Sequence, residues 1–126
     1  MDTEPCVDPA SLDTLAQMGG KAFAAEMIDL FLNYAPQKLA EARAAEQSGD
    51  LLGVKKAVHP IKSSAGYIGA RPMQALAARI EQLAGDQSRE SIGAMLTELE
   101  ATYVQVKSRL EQQREALTAS GMENAT

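Results

Sequence analysis

The chain has 126 residues, 45% of them hydrophobic, and its 12 basic and 17 acidic side chains leave a formal net charge of -5. This is the make-up of one ordinary soluble domain, and the single cysteine, Cys6, excludes a disulfide framework or a paired-cysteine metal site. The sequence has no apolar run of membrane-spanning length, no signal peptide and no basic excess for nucleic acid, so we expect a cytoplasmic protein.

The composition favours helices, because the chain has 22 alanines, no tryptophan and few aromatic side chains. Asp8 followed by Pro9 predicts the start of a short helix that ends at the glycine pair 19–20. A longer helix then runs to about Ser48, with a predicted kink at Pro36. The apolar positions of these two helices are Leu12, Leu15 and Met18, then Phe23, Met27, Leu30, Phe31 and Leu39.

Three further helices follow. Asp50 is a predicted N-cap for the third helix, and a turn at 66–69 ends that helix. The fourth helix begins at 71–72 and ends at Gly85. The last helix runs from about 88 to 117. Apolar residues recur three and four positions apart in each helix. They are Leu51, Val54, Val58, Ile61 and Ala65, then Met73, Leu76, Ile80 and Leu83, then Ile92, Leu96, Leu99, Tyr103, Val106 and Leu110.

Amphipathic helices joined by short connections predict an all-α protein, an antiparallel up-and-down four-helix bundle with a short N-terminal capping helix. We expect residues 1–7 to be a disordered N-terminus, residues 8–117 to form the bundle and residues 118–126 to be a polar, frayed tail. Such a bundle buries its own apolar stripes, so a monomer is expected. Met1 and the tail favour a free-standing protein over a domain cut from a larger one.

Charge is distributed unevenly along the chain. The window 51–80 contains five basic residues and no acidic residue, whereas the remainder carries a net charge of -10. The window also contains His59, the one histidine of the protein. Its cations are Lys55, Lys56, Lys62, Arg71 and Arg79.

His59 is predicted to lie on the exposed face of the third helix, about 120° away from the apolar stripe. Lys55 and Lys62 fall on the same face one turn away, with Lys56 and Ser63 at its edge. Nearby ammonium groups disfavour an imidazolium and leave a neutral, nucleophilic imidazole. The same cations suit a dianionic phosphoryl group, although an ordinary solvated histidine among surface lysines is the alternative.

Other chemistries lack the residues they need. One histidine and one distant cysteine cannot supply the three or four ligands of a zinc or iron site. Ser63 or Ser64 could pair with His59 in a hydrolase, but nothing nearby offers an oxyanion hole. The chain has no glycine-rich phosphate loop, so we expect a protein that neither binds ATP nor phosphorylates itself.

Residues 57–70, AVHPIKSSAGYIGA, resemble the AHxLKGSSxxxGA signature of histidine-containing phosphotransfer (HPt) domains. The histidine, the lysine three residues later, a serine and the Gly-Ala ten residues on match in register. The 19–20 glycine pair, the 30–32 Leu-Phe-Leu run with Pro36, and the 49–50 Gly-Asp pair also resemble landmarks of that family. The similarity covers roughly residues 8 to 117.

The resemblance implies a phosphorelay intermediate of two-component signalling. His59 accepts a phosphoryl group from the aspartate of one receiver domain and donates it to the aspartate of another. By the same analogy Lys62 steadies the phosphoryl oxygens and the small residue at position 63 allows close approach. Glu81, 22 residues after His59, falls where the family often has a polar side chain that hydrogen-bonds the imidazole and fixes its tautomer; a solvated glutamate is the alternative.

The resemblance also implies the partners, which are receiver domains of response regulators and hybrid sensor kinases. The receiver brings Mg²⁺ and most of the electrostatic catalysis, so the chain itself is a carrier more than an enzyme. The surface around a receiver aspartate is typically acidic, which suits Lys55 and Lys56 as docking residues. Leu52, about 20° from His59 around the helix, is a candidate apolar contact or a bundle-edge residue.

Two positions depart from the family pattern. Ser63 replaces the glycine that commonly follows the lysine, and its hydroxyl could reach the phosphoryl group or slow docking. Pro60 lies in mid-helix directly after His59, where it removes a backbone hydrogen bond to the carbonyl of Lys56 at a cost of about 3 kcal/mol. A local bend beside His59 is therefore expected.

Two other functions remain open from the sequence. The chain could be a binding module that docks a receiver domain or kinase and regulates it without being phosphorylated, in which case His59→Gln keeps its output. It could also be a hydrolase, in which case Ser63→Ala or Ser64→Ala loses activity on a generic ester.

Overall fold

Four helices make up the described part of the chain, and they confirm the predicted all-α bundle. The computed structural model describes the backbone of residues 6–125 and the side chains of residues 6–118. Each helix packs against two others, in the cyclic order α1, α2, α3, α4 and back to α1. The helices are α1 Pro9–Gln47, α2 Leu51–Ile68, α3 Arg71–Gly85 and α4 Ile92–Ala125. Within the described part of the chain, no helix is long and apolar enough to cross a membrane.

The predicted capping helix is the first segment of α1. Gly20 has φ 90° and ψ 172°, a non-helical conformation that interrupts α1 between the capping segment and the long helix that follows. A positive φ is accessible to glycine at little cost, which explains the break at this position. Asp8 is the N-cap, because its side chain accepts a hydrogen bond from the backbone N–H of Ala10 at 3.0 Å. α1 continues through Pro36, which is exposed.

The apolar stripes meet in one core at the centre of the bundle. All six predicted positions of the last helix are buried, as are four of the five in α2. Two predicted apolar positions of α1 are exposed instead, Met18 at 72% and Leu30 at 59%. Met18 lies two residues before the break at Gly20, and Phe31, the neighbour of Leu30, occupies the core. The central side chains of the core include Val54, Val58, Ile61, Met73, Ile80, Leu96, Leu99 and Leu110.

The turn between α2 and α3 holds the capping segment in place. Gly69 ends α2 in the left-handed conformation, with φ 83°, and its carbonyl accepts a hydrogen bond from the N–H of Asp8 at 2.8 Å. A Cβ at Gly69 would lie 2.6 Å from the side chain of Ser11. The Asp8 carboxylate also pairs with Arg71 at 3.2 Å. The Gly-Ala end of the signature therefore has a structural role at this junction.

The chain ends differ from the sequence predictions. Residues 1–5 of the predicted disordered segment lie outside the described residues, but Val7 is fully buried and Cys6 contacts the Gln105 carbonyl. Apolar burial thus begins before α1. At the other end α4 continues to Ala125 rather than ending near 117. It begins at Ile92 rather than 88, after a connection in which Gln87 has a positive φ of 61° and the N–H of Ile92 donates to the Arg89 carbonyl at 3.2 Å.

Candidate functional site

His59 lies on the outer surface of α2, near the middle of the helix. Its side chain is 63% exposed, whereas the preceding residue, Val58, is fully buried. The helix is anchored at its start by Asp50, whose carboxylate accepts a hydrogen bond from the N–H of Gly53 at 2.9 Å. α2 therefore presents a histidine to solvent from a helix whose opposite face is fixed in the core.

Glu81 of α3 joins His59 to Lys62 through a single carboxylate. Its Oε2 lies 2.6 Å from Nδ1 of His59, and its Oε1 accepts a hydrogen bond from Nζ of Lys62 at 2.6 Å. The Glu81 side chain is largely buried, with 16% of it exposed, whereas the Lys62 side chain is 35% exposed. The contact links α2 to α3 directly at the histidine.

The electrostatics of the cluster favour an ionised carboxylate. The hydrogen bond from Lys62 lowers the pKa of Glu81 most, the bond with His59 lowers it further, and burial opposes both. An ionised carboxylate can only accept a hydrogen bond, so the ring nitrogen that faces it carries the proton. Nδ1 therefore donates to the carboxylate, and in the neutral ring with this tautomer the lone pair lies on Nε2.

The arrangement suits nucleophilic chemistry at Nε2. Among the described residues, Nδ1 of His59 has the Glu81 partner, and no hydrogen bond is found to Nε2. Neither Ser63 nor Ser64 bonds the ring within the described residues, and the Ser64 hydroxyl donates instead to the Pro60 carbonyl at 2.9 Å. Among the described residues, the hydrolase interpretation consequently has no serine hydrogen-bonded to the histidine.

The lysines predicted to surround His59 fall into two groups. Lys62 is engaged by Glu81, whereas Lys55 and Lys56 are exposed, and no salt bridge is found for either of them in the part of the chain whose side chains are described. Lys55 extends towards the end of α3, where a Cβ at Gly85 would be 3.9 Å from its Nζ.

The other predicted residues of this region differ in position and exposure. Leu52 is 61% exposed, and Ser63 is exposed as well. Arg71 lies at the Asp8 junction and not beside the histidine. α2 continues through Pro60 to Ile68, and Pro60 is half-buried.

An apolar surface beside the site was not anticipated from the sequence. A concavity of about 190 Å³ lies between α1 and α2. Leu30 and Tyr67 at its rim are 59% and 65% exposed. Tyr67 lies eight residues after His59, about 80° around the helix, so a helical projection of α2 contains the signal. The lining residues are Met27, Leu30, Phe31, Tyr34, Ser64, Tyr67 and Ile68.

Within the described residues, no group of three or more histidine, cysteine, aspartate or glutamate side chains is arranged to hold a metal ion. The charged centre of this surface is the His59–Glu81–Lys62 cluster.

Comparison with known proteins agrees with this geometry. Residues 26–117 match the family model of the Hpt domain. The chain therefore belongs to the Hpt family, whose members are phosphocarriers that interact with receiver domains in two-component phosphotransfer. No curated protein sequence matches the chain.

Two solved structures share the fold. Histidine-containing phosphotransfer protein B (HptB) from Pseudomonas aeruginosa PAO1 superposes with a TM-score of 0.85 at 20% identity, over 90% of this chain and 98% of that one. The histidine-containing phosphotransfer protein ZmHP2 from maize gives 0.78 at 24% identity, over 91% of this chain and 86% of the other. At these identities the likeness establishes the bundle architecture.

Proposed function

We propose that the protein is a phosphorelay intermediate, in which Nε2 of His59 accepts a phosphoryl group from a receiver aspartate and passes it to another. The observation that carries this proposal is the exposed imidazole whose Nδ1 is held by Glu81 at 2.6 Å. That contact orients the ring and leaves the unprotonated nitrogen free for in-line attack on an acyl phosphate. The chain supplies a positioned nucleophile and acts as a carrier, without ATP binding or autokinase activity.

Lys62 is proposed to stabilise the phosphoryl oxygens. An ammonium group has three N–H donors, so its bond to Oε1 of Glu81 leaves two for a phosphoryl group on the neighbouring ring. Ser63, exposed on the same face, is small enough for a receiver to approach closely. The receiver brings Mg²⁺, which neutralises charge on the transferring group.

The docking surface is proposed to extend to both sides of His59. Leu52, Lys55 and Lys56 lie on α2 before the histidine and meet the acidic rim of a receiver active site. The concavity between α1 and α2 lies after it, and its exposed rim residue Tyr67 is about 12 Å along the helix from His59. A standard interface of about 800 Å² per partner covers both regions, so one receiver domain can occupy them together.

Phosphorylation of the histidine tests the proposal directly. The protein is incubated with a phosphorylated receiver domain, and we expect it to gain a phosphate that is acid-labile and base-stable. A wild-type protein that stays unlabelled, or His59→Gln that labels equally, contradicts the proposal. Retention of receiver binding and biological output by His59→Gln would instead support a binding module that is not phosphorylated.

A further inference from the structure

We propose that the concavity between the start of α2 and the end of α3 selects receiver domains that present a carboxylate side chain to Lys55 and Arg89. The proposal rests on the proposed function, because it concerns the partner that docks on the His59 face. It goes beyond that function by assigning a specificity-determining residue, Arg89, in the connection between α3 and α4.

The concavity adjoins the part of α2 that is proposed to dock a receiver. Its volume is about 380 Å³, and its walls come from the start of α2, the end of α3 and the connection that follows α3. Lys55 and Leu52 form the α2 wall, about 6 and 10 Å along the helix from His59. A partner that covers His59 with an interface of standard size therefore covers this concavity as well.

Arg89 is held at the concavity by the turn that precedes α2. Its Nη2 donates a hydrogen bond to the carbonyl of Gly49 at 3.0 Å. The guanidinium also packs closely against Gly49, since a Cβ at that position would lie 3.1 Å from Nη1. A guanidinium has five N–H donors, so the bond to Gly49 leaves most of them for a ligand. The arginine is thus positioned before any partner arrives.

The two cations of the concavity lack an acidic partner within the described residues. No salt bridge is found there for Lys55 or Arg89, although both are exposed. The Asp50 carboxylate accepts a backbone N–H of α2 at 2.9 Å instead. Asp86 and Glu90, the acidic residues nearest to Arg89 in the chain, are exposed and bind neither cation. The concavity is therefore suited to a carboxylate that a partner supplies.

A carboxylate side chain on a protein fits this concavity better than a free anion does. Arginine binds a carboxylate through parallel N–H donors, as Arg114 binds both oxygens of Asp29 in this bundle, and lysine adds a second positive charge. Leu52, 61% exposed at the same concavity, offers an apolar contact that a free anion cannot use. A receiver with lysine or arginine at the matching position is repelled. The concavity thus distinguishes among receivers whose active sites are alike.

The experiment is a double-mutant cycle on phosphoryl transfer. The probe is a receiver domain, phosphorylated with acetyl phosphate, that transfers to wild type. Its concentration at half-maximal transfer is measured for wild type, Arg89→Gln, Arg89→Lys and the control Arg109→Gln, an exposed arginine about 25 Å along α4 from its start. Exposed receiver carboxylates outside the active site are replaced by amides one at a time. Circular dichroism establishes that every variant is folded.

We expect Arg89→Gln to raise the receiver concentration for half-maximal transfer about threefold to tenfold, as the loss of a charge-assisted hydrogen bond at a partly exposed surface does. Arg89→Lys lies between the two, and Arg109→Gln follows wild type. One receiver carboxylate should lose most of its own effect when Arg89 is already glutamine, a coupling that a merely structural role of Arg89 would not produce.

Equal values for Arg89→Gln and Arg109→Gln, or the lack of any receiver carboxylate whose effect depends on Arg89, overturn the proposal and leave the proposed function standing. Inorganic phosphate that binds wild type at micromolar concentration in an NMR titration, with shifts confined to residues 49–55 and 84–89, identifies a free-anion site and overturns it too. A wild-type protein that no phosphorylated receiver labels overturns the proposed function and this inference together.

Discussion

The carboxylate of Glu81 contacts two side chains that lie one turn apart on α2. It therefore bears both on the orientation of the imidazole and on the stability of the α2–α3 contact. His59 and Lys62 approach different oxygens of the group, each at 2.6 Å. Removal of the charge therefore changes both the orientation of the imidazole and the tie between α2 and α3. The effect on the α2–α3 contact can be measured separately from the effect on transfer, because the free energy of unfolding is determined on the unphosphorylated protein.

The stabilising effect of Glu81 depends on pH in a definite direction. Its pKa is lowered in the folded protein, chiefly by Lys62. A lowered carboxyl pKa adds stability that is fully present above the unfolded value of about 4.3 and is lost as the pH falls through the folded value. We expect wild type to have a higher Tm than Glu81→Gln at pH 7 and the difference to shrink below about pH 4. A constant difference across that range would contradict this account.

At the scale of elements, the α2–α3 turn connects the site helix to the capping segment. Gly69 combines a left-handed φ of 83° with close contact to Ser11. Gly69→Ala is expected to cost about 1–3 kcal/mol of unfolding free energy, because it introduces backbone strain and a steric clash. Urea denaturation measures the change. Gly85→Ala is the matched control, since its Cβ meets no atom closer than 3.9 Å and a helical alanine is favourable, so equal losses in the two variants would refute this role of Gly69.

Tyr67 is exposed on α2 about 12 Å along the helix from His59 and about 80° around it, and this position predicts a contribution to docking. Tyr67→Ala is expected to raise the receiver concentration that gives half-maximal transfer about fivefold to tenfold, as the loss of an aromatic contact does at an interface. Val104→Ala on α4 is the control, because the two side chains are equally exposed, at 65%. Transfer kinetics with a phosphorylated receiver give the comparison. If Tyr67→Ala leaves the receiver concentration for half-maximal transfer unchanged, the apolar concavity lies outside the interface.

The helices were predictable from sequence to different degrees. The spacing of Val54, Val58 and Ile61 predicts which face of α2 is buried, and the exposure of His59 follows from the same periodicity. The hydrogen bond to Glu81 brings together residues 22 positions apart on two helices, and its geometry depends on how α3 packs against α2. The resemblance suggested that contact, but the sharing of the carboxylate with Lys62 required the structure. The connection before α4 contains Gln87, whose positive φ no periodicity indicates.

At the scale of the whole molecule, charge is distributed unevenly along the chain. The overall charge of -5 combines an acid-free window with a strongly acidic remainder. Within the described residues, all the charged side chains lie at least partly at the surface. A receiver with an acidic active-site rim should therefore approach the His59 face in preference to the others.

This charge pattern predicts a salt-dependent association. The rate of transfer at low receiver concentration should fall as NaCl rises from about 50 to 500 mM, because salt screens the electrostatic attraction between Lys55 and Lys56 and the acidic receiver surface. The double variant Lys55→Gln/Lys56→Gln is expected to transfer more slowly at low salt and to show a shallower salt dependence. Stopped-flow or quench-flow rates measure both. Parallel salt profiles for wild type and variant would show that these lysines do not guide docking.

Passage of phosphate between two receivers tests the central claim most directly. A labelled donor receiver is mixed with a second receiver in the presence of wild type or of His59→Gln, and the label on each protein is followed in time. The account predicts that label appears transiently on the wild-type chain and then on the second receiver, and that His59→Gln blocks both events. Transfer to the second receiver at the same rate with His59→Gln, or label that stops on the wild-type chain and never moves on, would contradict a relay through His59.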